Sequence, residues 1–120
     1  MPCDFRAVAA WLALLPSCAL VTAQPSDPQR IERGRALLTQ YQCGSCHTIP
    51  GVASAGGGVA QPLQRWGRRS YIAGRLPNRA EVLAQWIAAP QALVPGTLMP
   101  SMGVAPADAQ AMAAYLLSLE

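Results

Sequence analysis

At 120 residues, with one phenylalanine and three tryptophans, the chain has room for one domain at most and little aromatic bulk to fill a core. Nine Lys+Arg against six Asp+Glu leave a formal net charge of +3. That excess is too small, and too free of aromatic–basic interleaving, for a nucleic-acid binder, although it suits docking on an acidic patch of a partner.

Met1 to Arg6 is a short charged start, Ala7 to Leu15 an apolar run, and Val21-Thr22-Ala23 a small-residue cleavage site. This pattern predicts a signal peptide over 1–23, a mature domain over 24–120 and a periplasmic location. Pro16 interrupts a run already shorter than the ~18 apolar residues needed to span a bilayer, so no stable membrane insertion is expected after cleavage. Leu15-Pro16-Ser17-Cys18 also has the look of a lipoprotein box. A lipid anchor at Cys18 is therefore the minor alternative, disfavoured by the proline.

Ser26-Asp27-Pro28-Gln29 marks a helix start, with Ser26 or Asp27 as cap and Pro28 in the first turn. The helix is predicted over Pro28 to Gln42, with Ile31, Gly34, Leu38 and Tyr41 on one inward stripe. Glycine in mid-helix costs about 1 kcal/mol relative to alanine. Gly34 implies either close approach by another helix or simple tolerance.

Cys43-Gly44-Ser45-Cys46-His47 follows. Two thiols one helical turn apart, with histidine directly after the second, form the attachment sequence of a c-type haem. The sulfurs add to two vinyl groups on one porphyrin edge, and His47 becomes the proximal iron ligand. A thioredoxin-like dithiol would expect a βαβ unit, which is missing from the pattern. A zinc site would need a fourth ligand, yet His47 is the only histidine and the other cysteines, Cys3 and Cys18, belong to the leader. One haem c would also supply the interior that so small a domain lacks.

Beyond His47, Gly51 and Gly56-Gly57-Gly58 forbid a regular element and favour a loop against something flat. Pro62 to Gly67 suits a short helical turn. Asn78-Arg79-Ala80-Glu81 reads as a capping box opening a helix from Arg79 to Ala89, ended by Pro90, with Val82, Leu83, Trp86 and Ile87 inward. Val94 to Gly103 is built from turn residues but carries Met99 and Met102, which no helical stripe explains. A final helix is predicted over Pro106 to Leu119, with Met112, Tyr115, Leu116 and Leu119 on one face. No strand pattern exceeds a few residues, so the fold class is all-α.

From Gln24 onward the chain resembles a small, single-haem class I cytochrome c, the family of mitochondrial cytochrome c and its bacterial relatives. The likeness is carried by Ile31-Glu32-Arg33-Gly34 through Cys46-His47-Thr48, by Trp86 to Pro90 with Pro95-Gly96-Thr97-Leu98-Met99, and by Ala113-Ala114-Tyr115-Leu116. It implies three main helices and short turns wrapped around one covalently bound haem. It further implies Met99 as the second axial ligand, with Met102 as its rival, and a crossing of first and last helices at Gly34 near Tyr115. The family commonly has Gly-Pro-x-Leu where this chain has Ala60-Gln61-Pro62-Leu63, so the carbonyl accepting from His47 is that of Gln61 or Pro62. Leu63 and Thr97 belong to the same haem-facing stretches. Trp86 stands where many relatives place a tyrosine near the methionine sulfur. Arg68, Arg69 and Tyr71 are candidates to reach a haem propionate, against a plain surface role for each arginine.

The expected function is that of a monomeric one-electron carrier, not an enzyme, docking transiently on redox proteins. A haem subunit of a larger dehydrogenase or oxidase complex is one alternative. The other is a five-coordinate haem protein for a small gas or peroxide, which would leave Met99 and Met102 both idle.

Overall fold

The computed structural model describes residues 27–53 and 57–120. The expected signal peptide, the lipid-anchor alternative at Cys18, the cap at Ser26 and the first glycine of Gly56-Gly57-Gly58 lie outside the described residues. Four α-helices follow one another: α1 (Asp27–Gln40), α2 (Ala80–Ala88), α3 (Pro90–Leu93) and α4 (Pro106–Leu117). Between α1 and α2 the chain forms two 3₁₀ turns, Cys43–Ser45 and Trp66–Arg68, and a two-residue antiparallel ribbon of β1 (Tyr71–Ile72) and β2 (Leu76–Pro77). None of the four helices is long and apolar enough to cross a membrane.

Helix α4 is the centre of the core. Ala109, Met112, Ala113 and Leu116 are almost fully buried along it, facing Leu37 and Leu38 of α1 and Leu83, Trp86 and Ile87 of α2. Each large apolar side chain so buried contributes about 1.5–3 kcal/mol. Alanines keep α4 thin, and α1 meets it at Gly34, where a β-carbon would stand 2.0 Å from the Ala111 carbonyl oxygen and 3.0 Å from Tyr115 Cβ. The close approach implied by the cost of that glycine is therefore real, and the helices cross backbone to backbone.

Three expectations need correction. The helix predicted to reach Gln42 stops at Gln40, because Gln42 takes a left-handed φ of 55° and turns the chain into the first 3₁₀ turn. Asn78 does not cap α2. Its side chain instead accepts the Trp66 indole N–H at 3.1 Å and donates to the carbonyls of Trp66 and Arg69, both at 3.0 Å. Pro90 ends α2 as expected but opens α3, where its fixed φ and missing N–H are harmless at a first helical position.

Polar ties close the surface around the crossing. Tyr115 donates its hydroxyl to the Pro50 carbonyl at 2.6 Å, and Arg35 donates to that of Gly51 at 3.0 Å. Asp108 in the first turn of α4 accepts from Arg33 at 2.6 Å and from the Tyr41 hydroxyl at 3.1 Å. The Arg33 hydrogen bond first, and the Tyr41 bond after it, hold the Asp108 carboxyl below its ordinary value. A depressed carboxylate stabilises the fold above its unfolded pKa, about 3.9, and that contribution drains as pH falls through the lower folded value. Asp108→Asn should accordingly lower stability near neutral pH and flatten the acid limb, the two proteins converging once pH has fallen through the lowered folded value, in acid titrations followed by circular dichroism.

Candidate functional site

The Cys43–His47 turn is built by local hydrogen bonding. Gln42, in its left-handed conformation, accepts from Ser45 N–H at 3.0 Å, and the Cys43 carbonyl accepts from Cys46 at 3.3 Å and His47 at 3.0 Å. This turn sets both cysteines and His47 along one wall of a cleft of about 420 Å³. Gly44 is buried, where a side chain would add bulk inside the turn. Cys43 and Cys46 are not joined in a disulfide. Burial pushes the Cys43 thiol above its usual range, so it stays protonated at neutral pH, the opposite of what a dithiol exchange centre needs.

Around the cleft stand Leu38 from α1 and Tyr41 just past its end, Trp86 and Ile87 from α2, and Met112 and Leu116 from α4. Leu63, Trp66 and Ala73 close one side, and Leu98, Met99 and Met102 come from the loop after α3. Among the described residues, no charged side chain lines it. A flat, largely apolar group fits these walls, and two thiols with an imidazole at its edge fit a haem's vinyl groups and iron. Among the described residues, no group of three or more His, Cys, Asp and Glu could hold a metal ion on protein ligands alone.

His47 Nδ1 lies 2.6 Å from the Gln61 carbonyl oxygen. As the N–H donor there, the ring is fixed in one tautomer and Nε2 is left with a free lone pair. The carbonyl left open between Gln61 and Pro62 is that of Gln61. Ala60 N–H to Cys46 O and Leu63 N–H to Thr48 O, both 2.9 Å, hold that strap beside the attachment turn.

Met99 is half-buried, and its amide donates to Thr97 Oγ1 at 3.4 Å. Met102 is 46 % exposed. Both line the cleft, as do Gln61, Leu63 and Trp86, whereas Pro62 and Thr97 stand behind the lining as supports. Arg68 and Tyr71 do not reach the lining, and Tyr71 is 62 % exposed. Arg69 is spent elsewhere: it donates to the Pro62 carbonyl at 2.6 Å and to Gln64 at 3.4 Å, with its guanidinium 4.8 Å from the Trp66 ring centroid. Tyr41, Trp66 and Ala73 were missed as cleft residues. Tyr41's place on the helix stripe was the signal available for the first; the other two depend on how the ribbon folds back.

A family model described as Cytochrome c matches residues 31–120. The chain is also 36% identical over 103 residues to a protein of Alkalihalophilus pseudofirmus described as cytochrome c oxidase subunit 2. That alignment covers 83% of this chain and 29% of the other, so the chain spans under a third of the length of the relative it matches.

Proposed function

Because the chain belongs to the cytochrome c family, whose work is haem-based electron transfer, we propose that it is a periplasmic one-electron carrier with a single covalent haem c. In this reading His47 and Met99 would be the iron ligands, and Cys43 and Cys46 would carry the thioether bonds. The observation that supports this most directly is the 2.6 Å contact of His47 Nδ1 with Gln61 O inside a cleft shared by both thiols and Met99.

Haem supplies an iron that alternates between ferric and ferrous states. The protein's own residues set the conditions for that exchange. His47, donating to Gln61 O, is made more basic and favours the ferric state, while thioether sulfur from Met99 favours the ferrous. With haem bound, the apolar walls would keep water off the iron, and His47 with Met99 as its ligands would leave no position for a substrate; on this reading the carrier is not an enzyme. At the mouth, Val59 and Leu98 are 80% and 98% exposed, an apolar lip on which a redox partner docks in a small, transient contact. The carrier is a monomer.

A second reading is favoured by one observation, the likeness to a protein named as an oxidase subunit. Under it the same domain delivers electrons as a haem subunit of a larger oxidase. Gel filtration of a native periplasmic extract separates the two, since the free carrier elutes near its own 12.6 kDa or below.

Cys43→Ala or Cys46→Ala should leave at most half of the wild-type covalent haem after acid-acetone extraction, and the double variant none. Full retention in all three would sink thioether attachment. Oxidised and reduced spectra of the periplasmic fraction test haem, ligation and compartment together.

A further inference from the structure

We propose that Arg69 is a positioning residue for the iron-binding histidine: it clamps the strap that presents the acceptor of the His47 hydrogen bond. The proposal rests on the haem reading above, because only a ligated His47 converts the strap's position into a redox property. The Gln61 side chain is exposed, and the hydrogen bond from His47 falls on its carbonyl. What fixes that carbonyl lies further along. A residue before proline is confined to extended backbone and the proline ring fixes the next φ, so ψ of Pro62 is the main free rotation between the carbonyls of Gln61 and Pro62, and holding the second limits the first. Arg69 Nη2 holds the second of them at 2.6 Å and reaches the Gln64 carbonyl at 3.4 Å, gripping the strap just past the acceptor.

Arg69 is itself held in place. Its guanidinium lies over the Trp66 ring, and its own carbonyl accepts from Asn78, which also takes the Trp66 indole N–H. The two ion pairs among the described residues use Arg33 and Arg35 instead. A charged donor on a neutral carbonyl is stronger than an ordinary amide bond. An unbroken path of contacts thus runs from Asn78 through Trp66, Arg69, Pro62 and Gln61 to His47. A partner carbonyl that orients a ligating histidine also sets its basicity, and so biases the iron toward the ferric state.

The test compares haem-loaded wild type, Arg69→Met, Arg69→Lys and a charge control, Arg75→Met, whose side chain is exposed in the β1–β2 turn. Two quantities are read: the reduction potential, and the exchange rate of the His47 Nδ1 proton by NMR in the ferrous state. Loss of a positive charge alone favours ferric iron and lowers the potential; a loosened strap raises it. Relative to Arg75→Met, Arg69→Met should exchange that proton at least tenfold faster. Its ferrous–ferric equilibrium should move about tenfold toward ferrous, equivalent to about 59 mV for one electron. Arg69→Lys, which keeps the charge and a donor, should recover part of both. Matching exchange rates and potentials in Arg69→Met and Arg75→Met overturn the clamp. If Arg69→Met holds no haem, Arg69→Lys is read against wild type: faster exchange with a raised potential supports the proposal, and unchanged values overturn it. A wild type without haem would defeat the haem reading and this one together, whereas a haem-bearing wild type with indifferent variants defeats this one alone.

Discussion

Oxidised Met99→Ala should lose the weak far-red absorption band of methionine-to-ferric ligation and should take up cyanide at its vacated position, while Met102→Leu keeps the band. The argument is one of burial and loop shape. Met99 is half-buried, and the turn before it is set by Gly96 at a φ of 82° and by Thr97, whose amide donates to Val94 O at 3.1 Å and whose hydroxyl accepts from Met99 N–H. Met102 is nearly half-exposed and is followed by Gly103 at a φ of 69°. Both side chains line the cleft, but Met99 does so from the more buried position and from a turn held by the Thr97 bonds. The reduction potential should fall sharply with Met99→Ala, because the ligand that favours ferrous iron is gone. The reverse pattern, a band lost in Met102→Leu and kept in Met99→Ala, would transfer the sixth position to Met102.

Gly34→Ala should be the most damaging single methyl added to the scaffold. On an isolated helix the change would help by about 1 kcal/mol. Here the new carbon falls 2.0 Å from the Ala111 carbonyl oxygen and 2.6 Å from its carbonyl carbon, both backbone atoms of α4. Neither can rotate away, so α1 and α4 must separate and the alanines and leucines packed beside them lose contact. Overpacking of this kind costs about 3 kcal/mol or slightly more, leaving a net loss of about 2 kcal/mol after the helix gain. For a domain of roughly a hundred residues the melting midpoint should drop by about 8–16 °C, measurable by thermal circular dichroism. Gly34→Val, larger and a poorer helix former, should lower it further. An unchanged midpoint in both would mean that the crossing is looser than described.

What could be read from the sequence was the chemistry confined to a few consecutive residues. Cys43 to His47 form their turn by bonds among themselves, so their spacing carries their meaning. Gly34 was legible in part: its helix cost allowed a close neighbour or simple tolerance, and the 2.0 Å approach to the Ala111 carbonyl oxygen decides for the neighbour. Asn78 misled because its position before Ala80 and Glu81 matches a cap, while its side chain satisfies the Trp66 indole and two carbonyls instead. That demand arises only once the 3₁₀ turn and the ribbon have folded together, and nothing near Asn78 in sequence announces it. Arg69 escaped in the same way. As one arginine among several it was weighed as a propionate contact or surface charge, and its use on the Pro62 and Gln64 carbonyls depends on where the strap returns. Choosing between the carbonyls of Gln61 and Pro62 was likewise a matter of strap direction, decided by one 2.6 Å contact.

The meeting of α1 and α4 joins positions far apart along the chain; Arg33 and Asp108, which pair across it, are separated by 75 places. Bringing such distant ends together costs roughly 4 kcal/mol of chain entropy before any side chain has packed. Once the clasp is shut, the stretch between them is a closed loop with the Cys43–His47 turn inside it. Neither terminal helix can then peel away and leave the other in place. Heating should therefore release both in one step, and the Cys43–His47 turn with them.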